Sequence, residues 1–213
     1  MGMVTAVVRK KSRVQIDIDG RFYMNLRAGD FAKCPVAEGD ALDEQEYEDR
    51  LSAVQYPDAY EAALTQLDFC QRSSGELRKK LAAKGFAAPC IDAVVQKLTE
   101  VRLIDDSAYA QHIVEAMAKK PVGVYAAKRK LRAKGFSEDD ADDALTRLDD
   151  DQQTEMAAQL AKKLAPKYLA KGDAREAKAK LSQALARRGF GWEHVREAVD
   201  AALEHAALDD WDD

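Results

Sequence analysis

Leu81-Ala82-Ala83-Lys84-Gly85-Phe86 returns as Leu131-Arg132-Ala133-Lys134-Gly135-Phe136 and again as Leu185-Ala186-Arg187-Arg188-Gly189-Phe190. Each copy reads as the end of a helix. With Gly85 at C′ in the left-handed conformation, Leu81 falls at C3 and Phe86 at C″, the apolar pair of a Schellman cap. The same spacing pairs Leu131 with Phe136 and Leu185 with Phe190. Three such stop signals in one chain point to an internal repeat.

The register extends outward from the glycines. Eight residues before them stand Leu77, Ala127 and Leu181, and ten after them stand Val95, Leu145 and Val199. The spacing predicts three helices around each stop signal. The first unit has Tyr60, Ala63, Leu64 and Leu67 on its opening helix and Ser73 or Ser74 capping the second. Its third helix has Pro89 near the first turn and Ile91, Val94, Val95 and Leu98 inward. The second unit opens at Asp105-Asp106 and buries Tyr109, Ile113, Ala116 and Met117. Its middle helix runs from Gly123 to Gly135, and Ser137 caps a third helix carrying Ala141, Ala144, Leu145 and Leu148. The third unit opens with Met156, Leu160 and Leu164, with Pro166 expected to kink or split that helix. It closes with Val195, Ala198, Val199 and Ala202 inward.

Residues 4–26 carry strand signals instead. Val14, Ile16 and Ile18 alternate with polar residues, as do Phe22, Met24 and Leu26, around Asp19-Gly20. A three-residue loop, Ile18-Asp19-Gly20, keeps Ile16 opposite Phe22 and Val14 opposite Met24, so that loop is expected. Val4, Ala6 and Val8 predict a third, weaker strand. Pro35, Gly39 and Asp40 read as loop. Asp43 with Glu46 starts a short helix with Tyr47, Leu51 and Val54 on one face, and Pro57 closes the module.

The prediction is a mostly α fold: an elongated, curved tandem array of three three-helix repeats behind a small N-terminal module with a β-hairpin. The expected divisions are 1–58 for the module, 59–101, 102–150 and 151–207 for the repeats, and 208–213 for an acidic tail. Apolar content of 46% and charged content of 33% suit ordered helices. A net charge of −5 argues against bulk coating by nucleic acid and leaves room for a local basic face. Cys34, Cys70 and Cys90 form no CxxC and read as small buried residues in a reducing compartment. With no long apolar run, a cytosolic chain without membrane contact is expected.

These residues resemble the RecX family. The likeness lies in the repeated Leu-x-x-Lys-Gly-Phe, in Ser73-Ser74-Gly75-Glu76-Leu77-Arg78-Lys79-Lys80-Leu81, and in Leu103-Ile104-Asp105-Asp106-Ser107-Ala108-Tyr109-Ala110 between units. It covers roughly residues 60–204. It implies a monomeric, non-enzymatic regulator that binds the RecA recombinase filament and inhibits its ATPase and strand exchange in DNA repair, homologous recombination and the SOS response. The third unit departs from the earlier ones at Ala177, Ser182 and Gln183, which puts its share of binding in question.

The middle helix of each unit is the basic one. The candidate partner- or DNA-binding residues are Arg78, Lys79, Lys80 and Lys84; Lys128, Arg129, Lys130, Arg132 and Lys134; and Arg187 with Arg188. Lys178 and Lys180 belong to the same helix as the last two. Helix-dipole complementarity accounts for Lys84, Lys134 and Arg188, and for Glu138 and Asp139 at a helix start. It does not account for Arg78, Lys79, Lys128 and Arg129, which are the stronger candidates for an acidic protein surface or phosphates. The alternative is a helix-turn-helix-like module making phosphate contacts with DNA. His112, His194 and His205 have no partner at ligand spacing, and there is no phosphate loop or nucleophile motif, so no catalytic residue, metal or cofactor is expected. Trp192 reads as packing, and Trp211 on the tail as a residue that could dock on a partner.

Overall fold

The computed structural model describes residues 1–170 and 172–209 of the chain, so the tail residues 210–213 with Trp211 lie outside it. The described residues hold four strands and ten helices and fall into two units, Met1–Asp105 and a second beginning at Asp106. The fold is mostly helical, with the strand module first and three-helix repeats after it.

In the first unit β1 (Gly2–Arg9), β2 (Arg13–Ile18), β3 (Arg21–Arg27) and β4 (Ala41–Leu42) form an antiparallel sheet ordered β3-β2-β1-β4. The hairpin corrects the expected three-residue loop. Asp17 pairs with Phe22 and Ile18 with Arg21, leaving a two-residue turn of Asp19 and Gly20 at φ 49° and 75°. Positive φ at both positions is the type I′ turn, whose twist matches the strands. The mixing of faces is repaired further along. A bulge between Ile16 and Asp17 absorbs Tyr23, so Ile16 meets Met24 and Val14 meets Leu26 rather than the expected Phe22 and Met24. A second bulge in β1, after Val4, breaks the expected alternation: Val7 is half-buried and Val8 is exposed.

After β3 comes α1 (Ala28–Lys33), which buries Asp30 and Phe31, and Pro35, Gly39 and Asp40 lie in loop as expected. Asp43 then caps α2 (Glu44–Phe69) by accepting from the Glu46 N–H at 3.0 Å. Pro57 does not close the module: α2 passes straight through it. A proline inside a helix costs about 3 kcal/mol, and burial on both sides of it offsets that. Tyr47 and Leu51 pack with Val14, Ile16 and Phe31, while Ala59 and Ala63 pack with Leu77, Leu81 and Val94. The buried stripe therefore runs Tyr47, Leu51, Gln55, Ala59, Ala63, with Gln55 where Val54 was expected.

Gln55 joins the two halves of this unit. Its amide donates to Asp30 Oδ2 at 2.7 Å, and its carbonyl accepts the Ala87 N–H at 2.7 Å. Asp30 also receives Arg27 through two bonds of 2.7 Å. The Arg27 guanidinium lies 4.2 Å over the Phe86 ring. The hairpin module is thus seated on the Gly85-Phe86 stop of α3 (Ser74–Lys84), ahead of α4 (Ala88–Glu100).

The stop signals end their helices as expected. Gly85, Gly135 and Gly189 have φ of 91°, 79° and 84°. The N–H groups of Phe86, Phe136 and Phe190 donate to the carbonyls of Leu81, Leu131 and Leu185 at 3.3, 3.3 and 3.4 Å. All six side chains are buried, and each fully buried Leu contributes about 1.5–3 kcal/mol. Ser73 and Glu76 form a complete capping box on α3.

The second unit holds α5 (Asp106–Ala118), α6 (Val124–Ala133), α7 (Glu138–Leu145), α8 (Asp150–Leu169), α9 (Ala174–Arg187) and α10 (Trp192–Asp209). Ser137 caps α7 through the Asp140 N–H. On α5 Ile113 is buried with Ala110 and Val114, Tyr109 and Met117 pack partly buried against the same core as expected, and the expected Ala116 is exposed. Pro166 does not split α8; it stands in the last turn, so only three helical residues follow it. The third stop signal has a second task. The N–H groups of Gly123 and Tyr125 donate to the carbonyls of Arg188 and Gly189 at 2.9 and 3.0 Å, and that of Val124 to Gln153 at 3.0 Å. The loose end of α6 is capped by the third repeat.

Cys34 and Cys90 are buried and Cys70, against expectation, is exposed. Burial pushes the Cys90 thiol up to about 11, against the Ser52 hydrogen bond that lowers it. A maleimide at neutral pH should therefore modify Cys70 alone in native protein and all three thiols in denaturant. Intact-mass spectrometry would count them, and rapid native labelling of Cys90 would contradict this packing.

Candidate interaction surface

The basic residues of the middle helices separate into two groups. Arg78 is ion-paired with Asp92 of α4. Lys128 is ion-paired with Asp142 of α7 at 2.5 Å. These are the same pair in two repeats: each cation stands seven residues before the glycine and each carboxylate seven after it. The pair ties the middle helix to the third helix of its own repeat. In the third repeat those positions are Ser182 and Arg196, and Lys178 with Asp200 joins α9 to α10 at 2.6 Å instead. Arg78 and Lys128 point outward as expected, but each is held at the surface by its carboxylate partner.

Two further cations are engaged. Arg132 binds Glu138 at 2.5 Å, and the Lys134 amine donates to the Tyr109 hydroxyl at 3.1 Å while lying 5.3 Å over its ring. Exposed ion pairs of this kind are worth about 0–1 kcal/mol each, so they orient side chains more than they hold the fold.

The second group faces solvent. Lys79, Lys84, Arg129, Lys130, Arg187 and Arg188 are exposed and Lys80 half-exposed. Among the described residues none of these seven has an ion-pair partner. Lys79 and Arg129 occupy equivalent positions, six before the glycine and about half a helix turn from the buried Leu stripe. Gln183 holds that position in the third repeat, so the outward charge there is carried later, by Arg187 and Arg188.

Trp192, expected in the core, is 72% exposed, and Tyr125 is 62% exposed. Trp192 stands at the first position of α10, before the inward stripe that starts at Val195, and Tyr125 lies about 200° from Ala127 on the wheel.

In the second repeat, base reading in the manner of a helix-turn-helix is not offered. A recognition helix reads base edges with its N-terminal residues, and the N-terminus of α6 is covered by Arg188 and Gly189. The third helix α7 opens with Glu138, Asp139 and Asp140, which repel phosphate. Among the described residues there is no group of three or more candidate metal ligands, and no helix is long and apolar enough to cross a membrane.

Three-helix units in series, with capped ends and basic middle helices, define a helical-repeat protein. Comparison with known proteins carries this further. Family models described as the first, second and third three-helix domains of RecX match residues 59–98, 105–145 and 150–199. The regulatory protein RecX of Limosilactobacillus reuteri (strain DSM 20016) is 30% identical over 195 residues, 90% of this chain and 74% of that protein. That of Clostridioides difficile (strain 630) is 27% identical over 213 residues, 98% of this chain and all of its own. A solved structure described as "Crystal structure of regulatory protein RecX" superposes with a TM-score of 0.62 at 28% identity, covering 94% of this chain and 100% of the other. The chain belongs to the RecX family.

Proposed function

We propose that this chain is a non-enzymatic, cytosolic regulator that binds the RecA recombinase, above all its nucleoprotein filament, and slows ATP hydrolysis and strand exchange during recombinational DNA repair. Membership of a family whose relatives are named regulatory proteins supports a binding role. The observation that carries the site is the set of outward cations without ion-pair partners among the described residues, Lys79 and Lys80 in one repeat and Arg129 and Lys130 at the same places in the next. Lys84, Arg187 and Arg188 extend that set, and Arg78, Lys128, Arg132 and Lys134 lie beside it, each held by a partner in its own repeat. Binding works by occupancy. Repeats joined in one chain engage successive acidic surfaces at high effective concentration, so weak contacts combine. A bound chain then restrains the subunit motions that turnover requires.

The test is RecA ATPase on single-stranded DNA with increasing protein, together with co-sedimentation. Wild-type protein should inhibit. Lys79→Glu/Lys80→Glu/Arg129→Glu/Lys130→Glu should co-sediment about tenfold more weakly, a loss of about 1.4 kcal/mol, with an unchanged melting temperature. Unaltered ATPase at saturating, co-sedimenting protein would defeat the inhibitory reading. Steep salt-dependent binding to DNA alone, lost in Arg78→Glu/Lys128→Glu, would favour the nucleic-acid alternative.

A further inference from the structure

The second unit contains a cleft of about 390 Å3 that shares only Arg188 with the proposed middle-helix surface. Three segments converge on it. Lys119, Lys120 and Pro121 follow the end of α5. Met156, Leu160, Lys163 and Leu164 come from one side of α8, and Arg188 from the C-cap of α9. Its floor is aliphatic, with Met156, Leu160 and Leu164 at successive helical turns. Its rim is cationic: Lys119, Lys120, Lys163 and Arg188 are all exposed, and among the described residues none has an ion-pair partner.

This arrangement is held in place before any ligand arrives. The loop carrying Lys119 to Pro121 ends at Gly123, whose N–H donates to the Arg188 carbonyl at 2.9 Å. Lys120 N–H donates to the Met117 carbonyl at 2.9 Å. Four like charges around one opening repel each other in the free protein, and a negative occupant would relieve that repulsion. In a chain of net charge −5, the local excess is against the overall balance.

The floor decides what kind of anion fits. Phosphates of a nucleic acid would satisfy the rim, but the cleft is lined by no aromatic side chain on which a base could stack. An aliphatic side chain fills it better, and methionine adapts its shape to such a guest. We propose that this cleft receives an acidic segment of a partner protein bearing an aliphatic side chain, with the apolar group on Met156, Leu160 and Leu164 and flanking carboxylates on Lys119, Lys120, Lys163 and Arg188. The inference deepens the protein-binding reading and rests on it.

The test uses the full chain and a short fluorescein-labelled peptide of aspartate and glutamate with one central leucine, followed by anisotropy at low salt. Binding should weaken about tenfold in Lys119→Glu/Lys163→Glu, whose altered side chains are exposed and leave the fold unchanged by circular dichroism. It should also weaken severalfold when the peptide leucine becomes serine, and oligothymidylate should compete poorly. Equal binding by the double variant, indifference to the leucine, or displacement by oligothymidylate at equal charge would each overturn the proposal. The assay contains no recombinase, so its failure is separable from failure of the ATPase test.

Discussion

Gly189→Ala should destabilise the second unit by about 2–5 kcal/mol, measured by urea denaturation, from two costs that act together. The residue sits at φ 84°, where a side chain costs about 1–2 kcal/mol. The added Cβ would also overlap the Ala126 backbone nitrogen and stand 2.5 Å from the Ala126 Cβ. Nothing nearby can give way. Tyr125 N–H is bonded to the Gly189 carbonyl at 3.0 Å, and Gly123 is pressed so closely against Gly189 that it too lacks room for a Cβ. Overpacking of this kind adds about 1–3 kcal/mol. Gly20→Ala is the internal control. It has φ 75° with open space around the new Cβ, so only the left-handed conformation is penalised, by about 1–2 kcal/mol. Equal losses for the two variants would mean that the junction between α6 and α9 is looser than the geometry says.

Asp30→Ala should also be severe in the first unit, about 2–4 kcal/mol, because it removes a buried carboxylate that accepts charge-assisted bonds from both Arg27 and Gln55, although Arg27 keeps Asp58. Asp30 is 2% exposed and accepts from both Arg27 and Gln55. Its loss leaves the Gln55 amide without an acceptor and frees Arg27 from its place over Phe86. Gln55→Leu keeps the volume and should lose less, about 1–3 kcal/mol, chiefly from the Ala87 N–H left unpaired. The two changes share a hydrogen bond, so the double variant should lose less than the added single losses. Hydrogen exchange in Asp30→Ala should rise in the sheet and in α3 and α4 together. Additive losses, or exchange confined to the sheet, would show that Gln55 does not join the two halves.

The helix punctuation was legible in the sequence because caps are local. Gly85, Gly135 and Gly189 needed only positive φ and a Leu–Phe pair five residues apart, and Ser73, Ser137 and Asp43 needed only a nearby backbone N–H. The hairpin was legible as two strands, but its loop was not. The type I′ turn and the compensating bulge at Tyr23 are a joint solution that satisfies both twist and core, and neither is visible alone. Pro57 misled for a related reason. Its local penalty is real, yet burial on both sides of it carries α2 through. The basic helices were found, while the division of labour within them was not. Arg78 and Lys128 look free along the chain until α4 and α7 fold back and bring Asp92 and Asp142 beside them.

What the sequence determined by itself was the three-fold repeat, the position of each helix stop and cap, the basic character of the middle helices and the family. All of these depend on residues within about two helical turns of one another, whose effects act whatever the rest of the chain does. Tertiary structure alone decided which cations remain free, that Gln55 binds the hairpin module to the first repeat, and that Gly189 caps α6 as well as ending α9. Those outcomes need groups distant in sequence to meet, and burial of the apolar faces sets where they meet.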